Sequence, residues 1–183
     1  MLLFINACVR KDSRTKWLAD KLLARMDEPA RELRLEELDF PRADEAFLKK
    51  RDQLIAGECF DDPLFYLARD FARADQIVIA APYWDLSFPA ALKQYFEQIN
   101  VLGITFRYTE SGEPEGLCRA KKMIYISTAG GVFCPEEFGF GYVRSLARNF
   151  YGIPDVRLLM ATGLDIVGAD EQAILKAAWE AFE

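Results

Sequence analysis

Ser13, Arg14 and Thr15 close the segment Ala-Cys-Val-Arg-Lys-Asp-Ser-Arg-Thr (7–15), with Arg10 and Lys11 just before them. Hydroxyls and cations gathered where a helix begins are suited to an anion. The first N–H groups of a helix have no intrahelical partner, and its dipole favours negative charge there. Ser13 and Thr15 can donate hydroxyl hydrogen bonds, and Arg10 or Arg14 can supply a fork for phosphate oxygens. An ordinary serine cap among solvated charges has the same composition, so both readings stand at this point.

Two further segments have unusual chemistry. Ala81-Pro82-Tyr83-Trp84-Asp85-Leu86-Ser87-Phe88-Pro89 puts two adjacent aromatics between prolines. Such a stiff wall suits a flat heteroaromatic ring, and main-chain N–H groups beside it can reach ring nitrogens and carbonyls. Plugging the end of the core is the alternative. Ser127-Thr128-Ala129-Gly130-Gly131-Val132-Phe133 places paired glycines after an apolar run, where backbone can approach a ligand closely or simply turn.

The composition removes many chemistries. There is no histidine, which excludes Ser-His-Asp and Cys-His catalysis, HExxH zinc sites and most transition-metal sites. Cys8, Cys59, Cys118 and Cys134 are scattered, with no metal-ligand or CxxC spacing, and read as reduced thiols. No metal is expected. A net charge of −6 argues against nucleic acid. The opening apolar run from Met1 to Ile5 is too short for a signal-peptide core or a membrane span, so a cytoplasmic protein is expected. An enzyme of this make-up would draw its chemistry from a cofactor or an anion-binding loop.

The elements that must hold these segments alternate. Apolar runs at Leu2–Asn6, Gln76–Ala81, Lys121–Ser127 and Val156–Ala161 read as strands, and Arg31–Leu35 is a candidate for a further strand, the second in chain order. Helical periods fall at 13–26, 43–56, 63–74, 89–101, 135–151 and 170–182, the first with Trp17, Leu18, Leu22 and Leu23 on one face. Asp61-Asp62-Pro63 is a plausible cap for the third of these helices. Strands apolar on both faces and separated by helices predict an α/β fold. We expect one domain, 1–183, with a five-stranded parallel sheet in the doubly wound order 2-1-3-4-5, covered by helices on both sides. Ligands of such sheets sit beyond the carboxyl ends of the strands near the switch point, which is where the three unusual segments fall.

The runs APYWDLSFPAALKQYFEQI (81–99), GITFRYTESGEPEGL (103–117) and STAGGVF (127–133) resemble the FMN-dependent NADH-azoreductase family, within the flavodoxin-like NAD(P)H:quinone oxidoreductases. The similarity spans most of the chain in order and spacing. It implies that Ser13, Arg14 and Thr15, with Arg10, hold the FMN phosphate. It implies that Pro82, Tyr83, Trp84, Asp85 and Leu86 border the ring system and ribityl chain, and that Ser127, Thr128, Ala129, Gly130 and Gly131 surround the far edge. Trp84, Phe133 and Tyr142 would wall a pocket shared by the nicotinamide, NADH or NADPH, and a quinone or azo acceptor. A homodimer with sites at its interface is implied, and Phe106–Gly116 as a loop near the site. Asp85 departs from the asparagine common in azoreductases.

Two rival readings differ in class. Cys8 through Thr15 fits C-x5-R-[ST], the phosphate loop of low-molecular-weight tyrosine phosphatases, in which Cys8 would attack phosphorus and Arg14 clamp the oxygens. The single Asp-Pro pair, Asp62-Pro63, lies early in the chain and is followed by Leu64, unlike the acid motif of those enzymes. The other rival is a flavodoxin-like electron carrier or flavin-binding protein without turnover of its own, docked through its acidity on basic partners.

Overall fold

The computed structural model describes residues 1–26 and 28–182. Five strands form one parallel sheet: β1 (Leu2–Asn6), β2 (Ala30–Arg34), β3 (Gln76–Ala80), β6 (Lys122–Thr128) and β7 (Asp155–Ala161), in the order β2-β1-β3-β6-β7. This is the doubly wound order expected from the alternation of elements. Leu3 pairs with Ile77, and Ile77 with Met123, so the apolar runs lie in register across the central strands.

Both faces of the sheet are covered. Leu3, Ile5, Ile77, Ile79, Met123 and Tyr125 face a core shared with α3 (Tyr66–Arg73), α4 (Ala90–Ile99) and α5 (Phe140–Asn149). Leu2, Phe4, Val78, Ala80, Ile124 and Ile126 face α1 (Arg14–Leu23) and α6 (Glu171–Phe182). A further helix, α2 (Glu45–Ala56), packs Leu54 and Ile55 against the same core as α3–α5 and buries none of its residues fully. Asp62 caps the 3-10 turn Pro63–Phe65 that leads into α3, its side chain accepting from the Leu64 N–H at 2.9 Å. No helix among the described residues is long and apolar enough to cross a membrane.

Three expectations need correction. Trp17 is 44% exposed; the buried face of α1 is Thr15, Leu18, Ala19 and Leu22, a spacing that leaves Trp17 outside, with the Lys21 ammonium 5.4 Å from its ring. The helix expected over 135–151 begins only at Phe140. Backbone carbonyls that would have continued it are taken elsewhere: Tyr83 Oη donates to Pro135 O at 3.1 Å, and Ser87 Oγ donates to Phe138 O at 2.5 Å.

The third concerns Phe106–Gly116, which is a hairpin rather than a loop, with β4 (Phe106–Tyr108) antiparallel to β5 (Pro114–Gly116). It stands at the amino edge of the sheet, away from the carboxyl ends. Phe106 packs edge-on against Phe150 with ring centroids 4.7 Å apart, just beyond the C-terminus of α5. Gly116 lies so close to Tyr151 and Gly152 that a Cβ would overlap their backbone.

Candidate active site

The site is built on the carboxyl edge from the loops that leave β1, β3, β6 and β7. After β1, Asn6 turns the chain: its Oδ1 accepts the Cys8 N–H at 2.9 Å while its Nδ2 donates to Glu32 Oε1 at 2.7 Å. Ser13 then caps α1, its Oγ accepting from the Lys16 N–H at 3.2 Å. No described backbone carbonyl accepts from the N–H groups of Arg14 and Thr15, which are two of the orphan donors that a helix start leaves.

Hydrogen bonds tie the loops together. Thr15 is fully buried and its Oγ1 lies 2.6 Å from Thr128 Oγ1, joining the first loop to the end of β6. Tyr83 N–H donates to Thr128 O at 3.0 Å, which joins the second loop to the same residue. The N–H groups of Gly163, Leu164 and Asp165 donate to Gly131, Ala129 and Gly130, so the loop after β7 runs along the glycine loop. Arg14 reaches the same loop through Leu164 O and Asp165 Oδ1, and reaches Glu171 Oε2 at the start of α6.

The second loop is a tight turn. Trp84 and Ser87 exchange both backbone hydrogen bonds, at 3.1 and 2.7 Å, and the two residues between them have positive φ: Asp85 at +50° and Leu86 at +67°. That is the geometry of a type I′ hairpin turn, which ordinarily selects Asn-Gly or Gly-Gly. The N–H groups of Asp85 and Leu86 have no backbone partner among the described residues.

A cavity of about 220 Å³ opens between these loops. Of the residues singled out from sequence, Arg10, Ser13, Arg14, Thr15, Pro82, Tyr83, Trp84, Thr128 and Gly130 line it. Asp85, Leu86, Ser127, Ala129 and Gly131 sit in the same loops without lining it. Ser127 is buried, and its Oγ has no hydrogen-bond partner. Phe133 is 77% exposed, beyond the glycine pair, and does not line the cavity. Tyr142 does not line the cavity; its ring packs 5.8 Å from Phe88 and 6.0 Å from Phe96, centroid to centroid, between α4 and α5. Its place one turn into α5 turns it to that aromatic cluster.

Asp165 also lines the cavity, and sequence reasoning confined to three loops missed it. Its carboxyl is held below the usual carboxylate range, chiefly by the hydrogen bond from Arg14, with further help from the charges of Arg14 and Arg10. The available signal was Gly-Leu-Asp directly after the last strand, since that strand ends on the same edge of the sheet. Cys8 is the opposite case. It is buried, its thiol lies 3.8 Å from Ala80 O, and burial pushes its pKa up to about 11. A phosphatase nucleophile needs a thiolate at neutral pH, so this environment disfavours the phosphatase reading.

The donors present fit a flavin mononucleotide. Cations and unpaired N–H groups at the start of α1 suit the phosphate, the Tyr83–Trp84 wall suits a flat ring, and the Asp85–Leu86 amides suit ring heteroatoms. The four groups converge on one edge.

Comparison with known proteins agrees. The family described as flavodoxin-like fold matches residues 1–183. An FMN-dependent NADH:quinone oxidoreductase of Lachnoclostridium phytofermentans is 35% identical over 188 residues, covering 98% of this chain and 94% of that protein. A second, from Clostridium acetobutylicum, is 45% identical over 125 residues, covering 66% of this chain and 62% of that protein. Among solved structures, an azoreductase from Bacillus anthracis superposes with a TM-score of 0.83 at 25% identity, covering 98% of this chain and 95% of that one. This chain belongs to the FMN-dependent NADH:quinone oxidoreductases of flavodoxin-like fold.

Proposed function

We propose that the chain is a single FMN-binding domain that oxidises NADH and reduces a quinone or azo compound. The observation that carries this reading is the convergence of the anion-binding, aromatic and glycine loops on one cavity at the carboxyl edge. Bound there, FMN would supply the two-electron relay between nicotinamide and acceptor.

The protein's own part is orientation and exclusion of water. Arg10, Ser13 and the N–H groups of Arg14 and Thr15 hold the phosphate at the start of α1. Pro82, Tyr83 and Trp84 would border the ring, with the unpartnered Asp85 and Leu86 amides of the same turn as donors for its heteroatoms. Ser127, Thr128, Ala129, Gly130 and Gly131 form the far edge. Phe133 and Trp84 give the acceptor an apolar surface. No side chain has to transfer a proton in this scheme, in keeping with a chain that lacks histidine.

The working unit is proposed to be a homodimer. The exposed Trp84, Val132, Phe133 and Phe138 on the carboxyl edge offer a second copy an apolar face to cover. The free thiols and acidic balance fit a cytoplasmic location.

The purified protein is mixed with FMN, desalted, and its visible spectrum recorded before and after anaerobic NADH. Retained flavin bands that bleach with NADH, followed by steady NADH oxidation with menadione, are expected. Retained bands without turnover would point to an electron carrier, and loss of all FMN on desalting would overturn the cofactor assignment.

A further inference from the structure

We propose that Arg14 is a positioning residue that fixes one wall of the flavin cavity, and that Arg10 supplies the cation that recognises the FMN phosphate. The proposal rests on the FMN reading above and divides the labour of its two arginines.

The first support is what already surrounds Arg14. One guanidinium nitrogen, Nη1, faces three acceptors: Asp165 Oδ1 at 2.8 Å, Glu171 Oε2 at 3.3 Å and Leu164 O at 3.4 Å. Two of them are carboxylates, so one positive charge is set against two negative ones. A phosphate dianion approaching this cluster meets net negative charge. The three acceptors also share a location, the segment from the end of β7 to the start of α6.

The second support is what that segment does. Its backbone N–H groups at Gly163, Leu164 and Asp165 run along Gly131, Ala129 and Gly130. The Asp165 carboxylate is pressed so closely on Gly130 that a Cβ there would overlap it. Arg14, from the first loop, thereby braces the glycine loop through Asp165. Removing its guanidinium frees Asp165 and the wall behind it, which any flavin would feel, phosphorylated or not.

Arg10 presents the contrast. It is exposed, lines the same cavity, and makes no ion pair among the described residues. It lines the same cavity as Asp165, and its positive charge adds to what favours the Asp165 carboxylate. A long, unengaged cation beside the unpaired N–H groups of Arg14 and Thr15 is what a phosphate site requires.

FMN and riboflavin differ only in the phosphate, and their binding to wild type, Arg10→Ala, Arg14→Ala and Asp165→Asn separates the roles. Arg10→Ala is expected to weaken FMN about ten- to a hundredfold, leave riboflavin unchanged, and flatten the dependence of FMN affinity on ionic strength. Arg14→Ala is expected to weaken both ligands, FMN somewhat more because Asp165 and Glu171 are left without their cation, and Asp165→Asn is expected to weaken riboflavin similarly. The Arg14→Ala/Asp165→Asn double variant keeps the net charge of the cluster, and is expected to weaken both ligands by the same factor, to keep the wild-type salt dependence, and to lose less riboflavin affinity than the sum of its single variants. If that variant does not fold, Arg14→Gln/Asp165→Asn keeps the length of the side chain and the same net charge, and is expected to show the same equal loss. Unchanged riboflavin affinity in Arg14→Ala, selective loss of FMN in the charge-balanced double variants, or unchanged FMN affinity in Arg10→Ala, overturns the proposal alone. Wild-type protein that binds neither flavin overturns the FMN reading and this proposal with it.

Discussion

Environment, rather than residue type, decides what Cys8 can do. Its place in a C-x5-R-T run makes it a plausible nucleophile on paper, yet burial holds the thiol protonated until the pH approaches about 11. Iodoacetamide at neutral pH should therefore label the exposed Cys59 and spare Cys8, a difference that peptide mass spectrometry reads directly. Cys8→Ser should leave NADH–menadione turnover unchanged, whereas loss of turnover would return the thiol to the chemistry. Asp165 titrates in the other direction. Its pKa is depressed by Arg14, so the ion pair's contribution is fully present above the normal carboxylate pKa and is lost as pH falls through the lowered one. Because Asp165 is mostly exposed, Asp165→Asn should cost less than about 1 kcal/mol at neutral pH. Urea unfolding should show that difference from wild type disappearing in strong acid.

At the scale of elements, two positions test whether backbone geometry or side chains shape the site. Leu86 sits at φ +67° in a turn that prefers glycine, and left-handed backbone costs an L-residue roughly 1–2 kcal/mol. Glycine offsets part of that gain by its greater freedom when unfolded, so Leu86→Gly should raise stability in urea by about 0.5–1 kcal/mol. A fall instead would mean that the half-exposed Leu86 side chain contributes more packing than its surroundings indicate. Gly116→Ala should do the reverse. A methyl placed against the Tyr151–Gly152 backbone should cost about 1–3 kcal/mol, with hydrogen exchange rising first in the hairpin. These two sites also mark where sequence stops being informative. β1, β3 and β6 were legible as continuous apolar runs buried on both faces and β7 as a half-buried one, whereas the edge strand β2, Ala-Arg-Glu-Leu-Arg with no buried residue, was legible only from the alternation of elements; Ser13 was legible as the cap of α1. Neither the positive φ of Asp85 and Leu86 nor the late start of α5 leaves a mark in composition. The turn is closed by the mutual Trp84–Ser87 backbone bonds, and the late start of α5 goes with hydrogen bonds between segments distant in sequence, Ser87 to Phe138 and Tyr83 to Pro135. Gly-Leu-Asp after β7 marked the place of Asp165 on the carboxyl edge, but nothing local to it says that Arg14 will reach across from the first loop.

For the whole molecule, the distribution of exposed apolar side chains predicts its assembly. Trp84, Leu86, Val132, Phe133 and Phe138 are all exposed, and all lie on the two carboxyl-edge segments that Tyr83 and Ser87 hold together. A soluble monomer seldom leaves so many large apolar groups uncovered on one edge. A flavin ring can cover only part of such a surface, because a stable interface between proteins takes about 800 Å² from each partner. A second copy placed over this edge would bury Phe133 and Phe138 and bring its own carboxyl edge toward the cavity, completing a site that one chain leaves open on one side. Sedimentation velocity should then find the wild type at twice the 20.9 kDa of the chain. Introducing charge with Phe133→Asp and Phe138→Asp should return the protein to one chain's mass and weaken FMN binding, with the far-ultraviolet circular dichroism unchanged because neither residue belongs to the core. A wild type that sediments as a single chain, with FMN affinity indifferent to both substitutions, would assign the exposed edge to the small-molecule acceptor and leave the cavity to be closed by the chain's own loops.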